Sequence, residues 1–273
     1  MGSLSNYAEN VVLNHITTNS AYTPVATVYL ALATADPTDA GTGASMSEVA
    51  NSGSYARTAI TLGAAASRRV TQSGAVTFPA ATGSWGTVSH WAIVDSATHG
   101  AGNLLAYGAF ATAKSIVSGN TPSVASGDVY VEITASTGMS NYAANGMLDR
   151  MFRNQAFTVS ANHVALWTAT LADASTGATA GEVSGGSYVR KQINANGGAS
   201  PAWGTVASGA VENGAAVTFA TATASWGTVT TAAILDAATT GNLLWYDNGV
   251  TDQANASGDT VSFATGAIDL AQS

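Results

Sequence analysis

The feature that most constrains this chain is an internal repeat with a period of about 135 residues. Five blocks recur in the same order in the second half, at offsets between 133 and 141 residues. A period of this length is that of a whole domain rather than of a solenoid unit. The five pairs of blocks begin at Ser5 and Ser140, Ser47 and Gly181, Ala75 and Ala216, Asn103 and Asn242, and Ser118 and Ser257.

The repeat predicts two homologous domains, residues 1–137 and 138–273, joined near Ser136–Gly138. The offset changes between Arg57 and Ala75, where the second half is longer. Insertions are tolerated in surface loops because loop length costs little entropy, whereas core strands cannot slip in register. The blocks on either side of such changes are therefore the predicted strands.

Each repeat is predicted to begin with one short helix. Asn6 followed by Glu9 resembles an N-terminal cap, and the apolar residues that follow fall on one side of a helix. The copy starts at Ser140 or Asn141, although Gly146 lowers its helix propensity. The sequence leaves open whether these helices pack on their own domain or on a neighbour.

Beyond the helix the apolar period becomes two, which is the spacing of strands. Clusters of Gly, Asn, Asp and Ser recur at roughly 8–12-residue intervals, which favours antiparallel sheets over βαβ units. The sequence therefore predicts a mainly β chain of two tandem antiparallel β-sandwich or jelly-roll-like domains, each with a short N-terminal α-helix. The strands predicted in the first repeat are Val28–Ala33, Ala56–Leu62, Ala75–Phe78, Val88–Val94, Leu104–Phe110 and Val129–Thr134.

Charge is scarce in this chain and excludes two classes of partner. Asp, Glu, Lys and Arg make up 9% of the residues, against about a quarter in a typical domain. With eight Lys and Arg and a net charge of −8, binding to a nucleic-acid backbone is not expected. No apolar run reaches the roughly 20 residues that span a bilayer, so no membrane partner is expected. A surface of Ser, Thr, Ala and Gly can be covered by protein without stranding charges, which favours a homo-oligomer.

Residues suited to nucleophilic or metal chemistry do not form recognisable sets. The chain has no Cys, so thiolate nucleophiles and Cys-ligated metals are excluded. Its four His have no His or Asp neighbour at ligand or triad spacing. Asp36 and Asp39 resemble a calcium loop, but too few carboxylates follow them, so we interpret the segment as a turn.

Asp95 and Asp236 end equivalent strands and are the remaining candidates for acid–base chemistry. A glycosidase needs a second carboxylate within reach, and the candidates are Glu48 and Glu182, which are distant in sequence. An Asp that closes a strand and accepts backbone N–H bonds from the following turn explains the pattern better. The sequence therefore predicts a protein that is not an enzyme and that holds neither a cofactor nor a metal.

Six aromatic and cationic side chains recur at equivalent positions and are candidate interface residues. Exposed Trp and Tyr concentrate binding energy at interfaces, but the repetition of the two Trp favours a place in the core. The two Tyr–Arg pairs alternate along the chain, so both members face one side and form a structural stack or an intersubunit contact. The six candidates are Tyr55, Arg57, Trp85, Tyr188, Arg190 and Trp226.

Several segments of the first half match the sequence pattern of a known protein family: Tyr22–Gly43, Glu48 with Val49, Ser54–Arg57, Val76–Thr82 and Trp85–Val88. The first half thereby resembles a family of small tailed-phage virion proteins, described as tail fibre or capsid decoration (cement) proteins. The resemblance covers nearly all of the first half and weakens in the second. It implies a place in the virion and supplies no catalytic residues.

Three hypotheses for function follow. The first is a capsid decoration protein that binds the outer surface of the major capsid protein and copies of itself, because two linked domains bind adjacent sites with avidity. The alternative is a tail fibre or receptor-binding component that contacts host-surface glycans. The weakest is a glycan-active enzyme. Under the first two, the protein assembles in the host cytoplasm and is located in the virion.

Overall fold

The structure is a computed structural model that describes residues 2–134, 138–251 and 253–272. The junction expected at Ser136–Gly138 lies partly on residues 135–137, outside the described residues. The chain is 33% strand and 9% helix, which confirms the mainly β class. The division into domains at residues 137 and 138 stays a prediction.

In the first repeat the helix and all six predicted strands are present, and three short strands, Gly2–Leu4, Arg69–Thr71 and Ser123–Val124, were not predicted. The elements are β1 (Gly2–Leu4), α1 (Asn6–Ile16), β2 (Val28–Ala33), β3 (Thr58–Ile60), β4 (Arg69–Thr71), β5 (Val76–Thr77), β6 (Gly86–Val94), β7 (Leu104–Ile116), β8 (Ser123–Val124) and β9 (Tyr130–Glu132).

The second repeat follows the same plan from its helix onward. Its elements are α2 (Asn141–Arg153), β10 (Asn162–Trp167), β11 (Lys191–Ile193), β12 (Ala210–Glu212), β13 (Val217–Thr218), β14 (Gly227–Val229), β15 (Thr231–Leu235), β16 (Leu243–Asp247), β17 (Gln253–Asn255), β18 (Ser262–Phe263) and β19 (Asp269–Ala271).

A curled sheet forms the centre of each repeat. In the first repeat seven strands pair in the order β3-β2-β6-β7-β1-β9-β4. The second repeat keeps the central part of this order as β11-β10-β15-β16, and its remaining strands pair in twos. Leu30 lies opposite Ile93, and Val164 lies opposite Ile234 in the same way, so the two sheets share one register.

The helices are capped by Ser5 and Ser140, so the expected cap at Asn6 is wrong by one residue. Each Ser has an extended backbone, and its hydroxyl accepts the N–H three residues on, from Ala8 at 3.3 Å and from Ala143 at 3.1 Å. The Ser5 hydroxyl also donates to a backbone carbonyl of β7, and the Ser140 hydroxyl donates to a backbone carbonyl of β16. Ser is favoured here because one hydroxyl both caps the helix and joins it to the sheet.

Helix α2 continues through Gly146 because a close neighbour occupies the space of a side chain. A Cβ at Gly146 would lie 2.2 Å from the ring of Phe157. That ring is buried and lies between His15 and Tyr142, with ring centroids 5.7 Å and 5.5 Å away. Glycine thus allows the chain after α2 to fold back against the helix.

We expect Gly146→Ala to lower the free energy of unfolding by about 1–2 kcal/mol, because the methyl group would overpack the site. At an open helix position the same change would raise stability by up to about 1 kcal/mol. Urea denaturation followed by circular dichroism measures the difference. A stabilised variant would show that Phe157 yields and that our interpretation of Gly146 is wrong.

One hydrophobic core runs through both repeats. Helix α1 packs against β7 of its own repeat and β12 of the other, and α2 packs against β16 of its own repeat and β4 of the other. Each helix therefore reaches both repeats, which answers the question that the sequence left open. The buried helix residues in this core include Val12, Leu13, Ile16, Met147, Leu148 and Met151.

Candidate functional site

The six candidate interface residues all lie inside the repeats. Tyr188 is half-buried and the other five are buried. In each repeat the Tyr, Arg and Trp gather with one Glu and one Phe. We call these two groups the Tyr–Arg–Glu clusters. Their residues are Glu48, Tyr55, Arg57, Phe78 and Trp85 in the first repeat, and Glu182, Tyr188, Arg190, Phe219 and Trp226 in the second.

Arg57 is the centre of the first cluster. Its Nε and Nη2 donate to the two carboxylate oxygens of Glu48, each at 2.8 Å. The remaining N–H groups donate to backbone carbonyls of Gly43, Ser96 and Ala101 at 2.8–2.9 Å. The guanidinium is fully buried and its charge is paired, so it joins the loop between β2 and β3 to the loop between β6 and β7.

Arg190 repeats this arrangement in the second cluster. It binds both oxygens of Glu182 at 2.7 Å, and it donates to the carbonyls of Gly177, Ala237 and Thr240. These are the positions equivalent to the partners of the first cluster. The pairing of Tyr with Arg that the sequence indicated is thus a shared attachment to a Glu, because each Tyr also donates its hydroxyl to that carboxylate.

The aromatic rings of each cluster pack in one fixed geometry. Tyr55 contacts Trp85 edge to face at 5.2 Å, and Tyr188 contacts Trp226 edge to face at 5.5 Å. Each indole N–H donates to a backbone carbonyl at 2.8–2.9 Å. Burial raises the pKa of Tyr55 and of Tyr188, and the neighbouring carboxylate adds to each rise. Both phenols therefore stay neutral and act as hydrogen-bond donors.

Asp95 and Asp236 behave as the turn interpretation predicts. The backbone N–H of Asn103 donates to Asp95 at 2.6 Å, and that of Asn242 donates to Asp236 at 2.7 Å. The second oxygen of each carboxylate accepts the side-chain amide of the same Asn. With Glu48 also bound by Arg57, these carboxylates are occupied by structural partners.

Asp36 and the histidines are the remaining polar groups that the sequence singled out. Asp36 accepts the N–H of Thr38 at 3.0 Å, which confirms the turn. Burial lowers the pKa of His15 and of His163.

Across the described residues there is no group of three or more His, Asp or Glu able to hold a metal ion. In the same part of the chain, no helix has the length and apolar character needed to cross a bilayer.

Glu9 is a buried carboxylate that the sequence analysis treated only as a capping residue. It lies in the first turn of α1 against the second repeat, where a Cβ on Gly209 would lie 2.7 Å from its Oε2. Burial raises the pKa of Glu9 to about 7, and Asp39 adds to the rise. The folded protein therefore binds this proton more tightly than the unfolded chain does.

We expect Glu9→Gln to stabilise the protein at pH 8 by about 2 kcal/mol and to leave it unchanged at pH 4. The reason is that ionisation of Glu9 opposes folding, so stability is lost as the pH rises from about 4.5 to about 7. Urea midpoints of both proteins at the two pH values measure the effect. Glu212→Gln, at an exposed position, is the control. Equal stabilisation at both pH values would contradict the prediction.

Few large apolar side chains are exposed among the described residues, and two of them are equivalent. Tyr7 is 37% exposed and Tyr142 is 39% exposed, and each lies in the first turn of its helix. The sequence analysis did not select these positions, although both fall in the repeated Ser-Asn-Tyr-Ala block. This repeated block could have identified the two positions from the sequence, because it contains a Tyr at the same place in both repeats.

Comparison with known proteins agrees with the duplicated plan. A family model described as Podophage GP4 fiber I protein gp80 matches residues 3–132 and, a second time, residues 138–271. The comparison with curated proteins gave no match. The two matches confirm the tandem duplication and the resemblance to phage virion proteins. Because they cover most of the chain, the protein belongs to the Podophage GP4 fiber I protein gp80 family, a family of phage virion proteins of the fibre type.

Proposed function

We propose that this protein is a structural subunit of a phage tail fibre, which the sequence analysis ranked second, rather than a capsid decoration protein. The observation that carries the proposal is the family match over both repeats, since the description of that family names a fibre protein. We also propose that it is not an enzyme. The buried Arg57 and Arg190 are engaged in structural hydrogen bonds, with Glu48 and with Glu182 respectively.

The proposed partners are neighbouring fibre subunits, including copies of this chain, and host-surface glycans. Tyr7 and Tyr142 are the surface residues best suited to such contacts, because an exposed phenol offers both an apolar ring and a hydroxyl. Their equivalent positions present two similar contact points on one molecule. Two linked contacts bind a repetitive partner with higher avidity than one.

The test is the place and number of copies in purified virions. Particles are separated into tail and empty-capsid fractions, and the protein is quantified against the major capsid protein by mass spectrometry. A fibre subunit follows the tail fraction at a small fixed number of copies. A protein that follows the capsid fraction, in numbers near those of the major capsid protein, would instead support the decoration hypothesis.

A further inference from the structure

Two pairs of contacts between the two repeats are reciprocal. Asn10 on α1 accepts the backbone N–H of Gly209 at 2.9 Å, and Asn145 on α2 accepts the backbone N–H of Arg68 at 2.8 Å. Asn10 and Asn145 are equivalent residues, and so are Gly209 and Arg68. A helix of each repeat therefore binds the same turn of the other repeat through the same atom.

A second pair of contacts follows the same rule with different side chains. Nε2 of His15 lies 2.9 Å from the carbonyl oxygen of Phe157, and Nη2 of Arg150 donates to the carbonyl oxygen of Tyr22 at 2.9 Å. His15 is equivalent to Arg150 and Tyr22 is equivalent to Phe157, each at an offset of 135 residues. The contact is thus made in both directions even where the residue type has changed.

The turns that receive the helices have the same unusual backbone. In the first repeat φ is 50° at Ser67 and 66° at Arg68, and in the second it is 50° at Ser208 and 68° at Gly209. Residues other than Gly adopt this left-handed conformation rarely. Such a turn directs its N–H toward the helix of the other repeat, so the receiving surface is built in the same way twice.

Reciprocal contacts of this kind, in which residue i meets residue j and the copy of i meets the copy of j, define a twofold interface. We propose that the helix and the receiving turn of each repeat form a self-complementary docking surface, and that the chain is a fused dimer. Its partner is a second module of the same fold. The covalent junction raises the effective concentration of the repeats but is not what binds them. This proposal is independent of the place of the protein in the virion.

The test uses the full chain with a specific protease site inserted between residues 136 and 137. After cleavage, we expect the two halves to remain together at micromolar concentration, with the intact mass in native mass spectrometry and an unchanged circular dichroism spectrum. Separation of the halves after cleavage, whether they stay folded or unfold, would overturn the proposal. A form with flexible Gly and Ser residues on both sides of the site is tested in parallel, in case the insertion disturbs folding.

Variants of the cleaved protein show whether the reciprocal contacts are responsible. Asn10→Ala or Asn145→Ala leaves a buried N–H without its acceptor, so each should raise the dissociation constant of the halves about tenfold. Asn51→Ala, at an exposed position, is the matched control and should leave it unchanged. Equal effects of all three variants would show that association does not depend on this docking surface.

Discussion

Replacing Arg57 by Met is expected to lower the free energy of unfolding by about 3–5 kcal/mol, the usual cost of leaving one member of a buried ion pair unpaired. The change strands the Glu48 carboxylate, whose side chain is 3% exposed. It also leaves the carbonyls of Gly43, Ser96 and Ala101 without the guanidinium that joins them. Arg190→Met should cost less, because the Glu182 side chain that it leaves unpaired is 22% exposed and can be solvated.

The control for this prediction is Arg153→Met. Arg153 pairs with Asp149 at 2.8 Å on the surface of α2, where both side chains are about a quarter exposed. Its loss should cost only about 0.5 kcal/mol. The double variant Arg57→Met with Glu48→Gln should recover part of the loss, because no charge remains buried. Chemical denaturation gives all four values, and equal costs for Arg57→Met and Arg153→Met would refute the role of the cluster.

The second large effect is expected at Gly177, where Ala should lower the free energy of unfolding by about 3 kcal/mol. An added Cβ would lie 1.9 Å from the carbonyl oxygen of Thr240, and at the equivalent Gly43 it would lie 2.1 Å from that of Ala101. These neighbours are backbone atoms, so the loops themselves would have to separate. Both carbonyls also accept hydrogen bonds from the Arg of the cluster, so the change would weaken it as well.

Gly74→Ala is the matched control for Gly177→Ala. Gly74 is exposed, and nothing lies within 4 Å of the position that its Cβ would take. Ala there should change stability by no more than about 1 kcal/mol and is expected to raise it, because it restricts the unfolded chain. Thermal or urea unfolding compares the variants. A tolerated Gly177→Ala would mean that the two loops are not held in contact.

The parts of the fold that the sequence predicted are those with a long pattern. The alternation of larger and smaller side chains in Val28–Ala33 identified one central strand, and the repeated block that ends at Val88 led to a second, Val88–Val94. The strand Gly2–Leu4 has only three residues and is defined by its neighbours, β7 and β9, so no local pattern can reveal it. The cap at Ser5 was missed because Asn6 is an equally good capping residue by type.

Repetition identified the members of the Tyr–Arg–Glu clusters but not how they are joined. Tyr55 and Arg57 were grouped because they alternate along the chain, and the structure brings both to Glu48. Glu48 recurs as Glu182 in the same block, yet sequence alone does not give the distance between a carboxylate and a guanidinium that lie 9 residues apart in an irregular loop. The contacts between the repeats depend on how two copies of one fold meet, and the recurrence of Asn10 as Asn145 does not by itself show that either residue contacts the other repeat.

The two repeats share one hydrophobic core and should therefore unfold as one cooperative unit. Differential scanning calorimetry of the intact chain tests this claim most directly. We predict a single transition in which the calorimetric enthalpy equals the van't Hoff enthalpy. Two separable transitions, or a calorimetric enthalpy about twice the van't Hoff value, would show instead that each repeat unfolds independently.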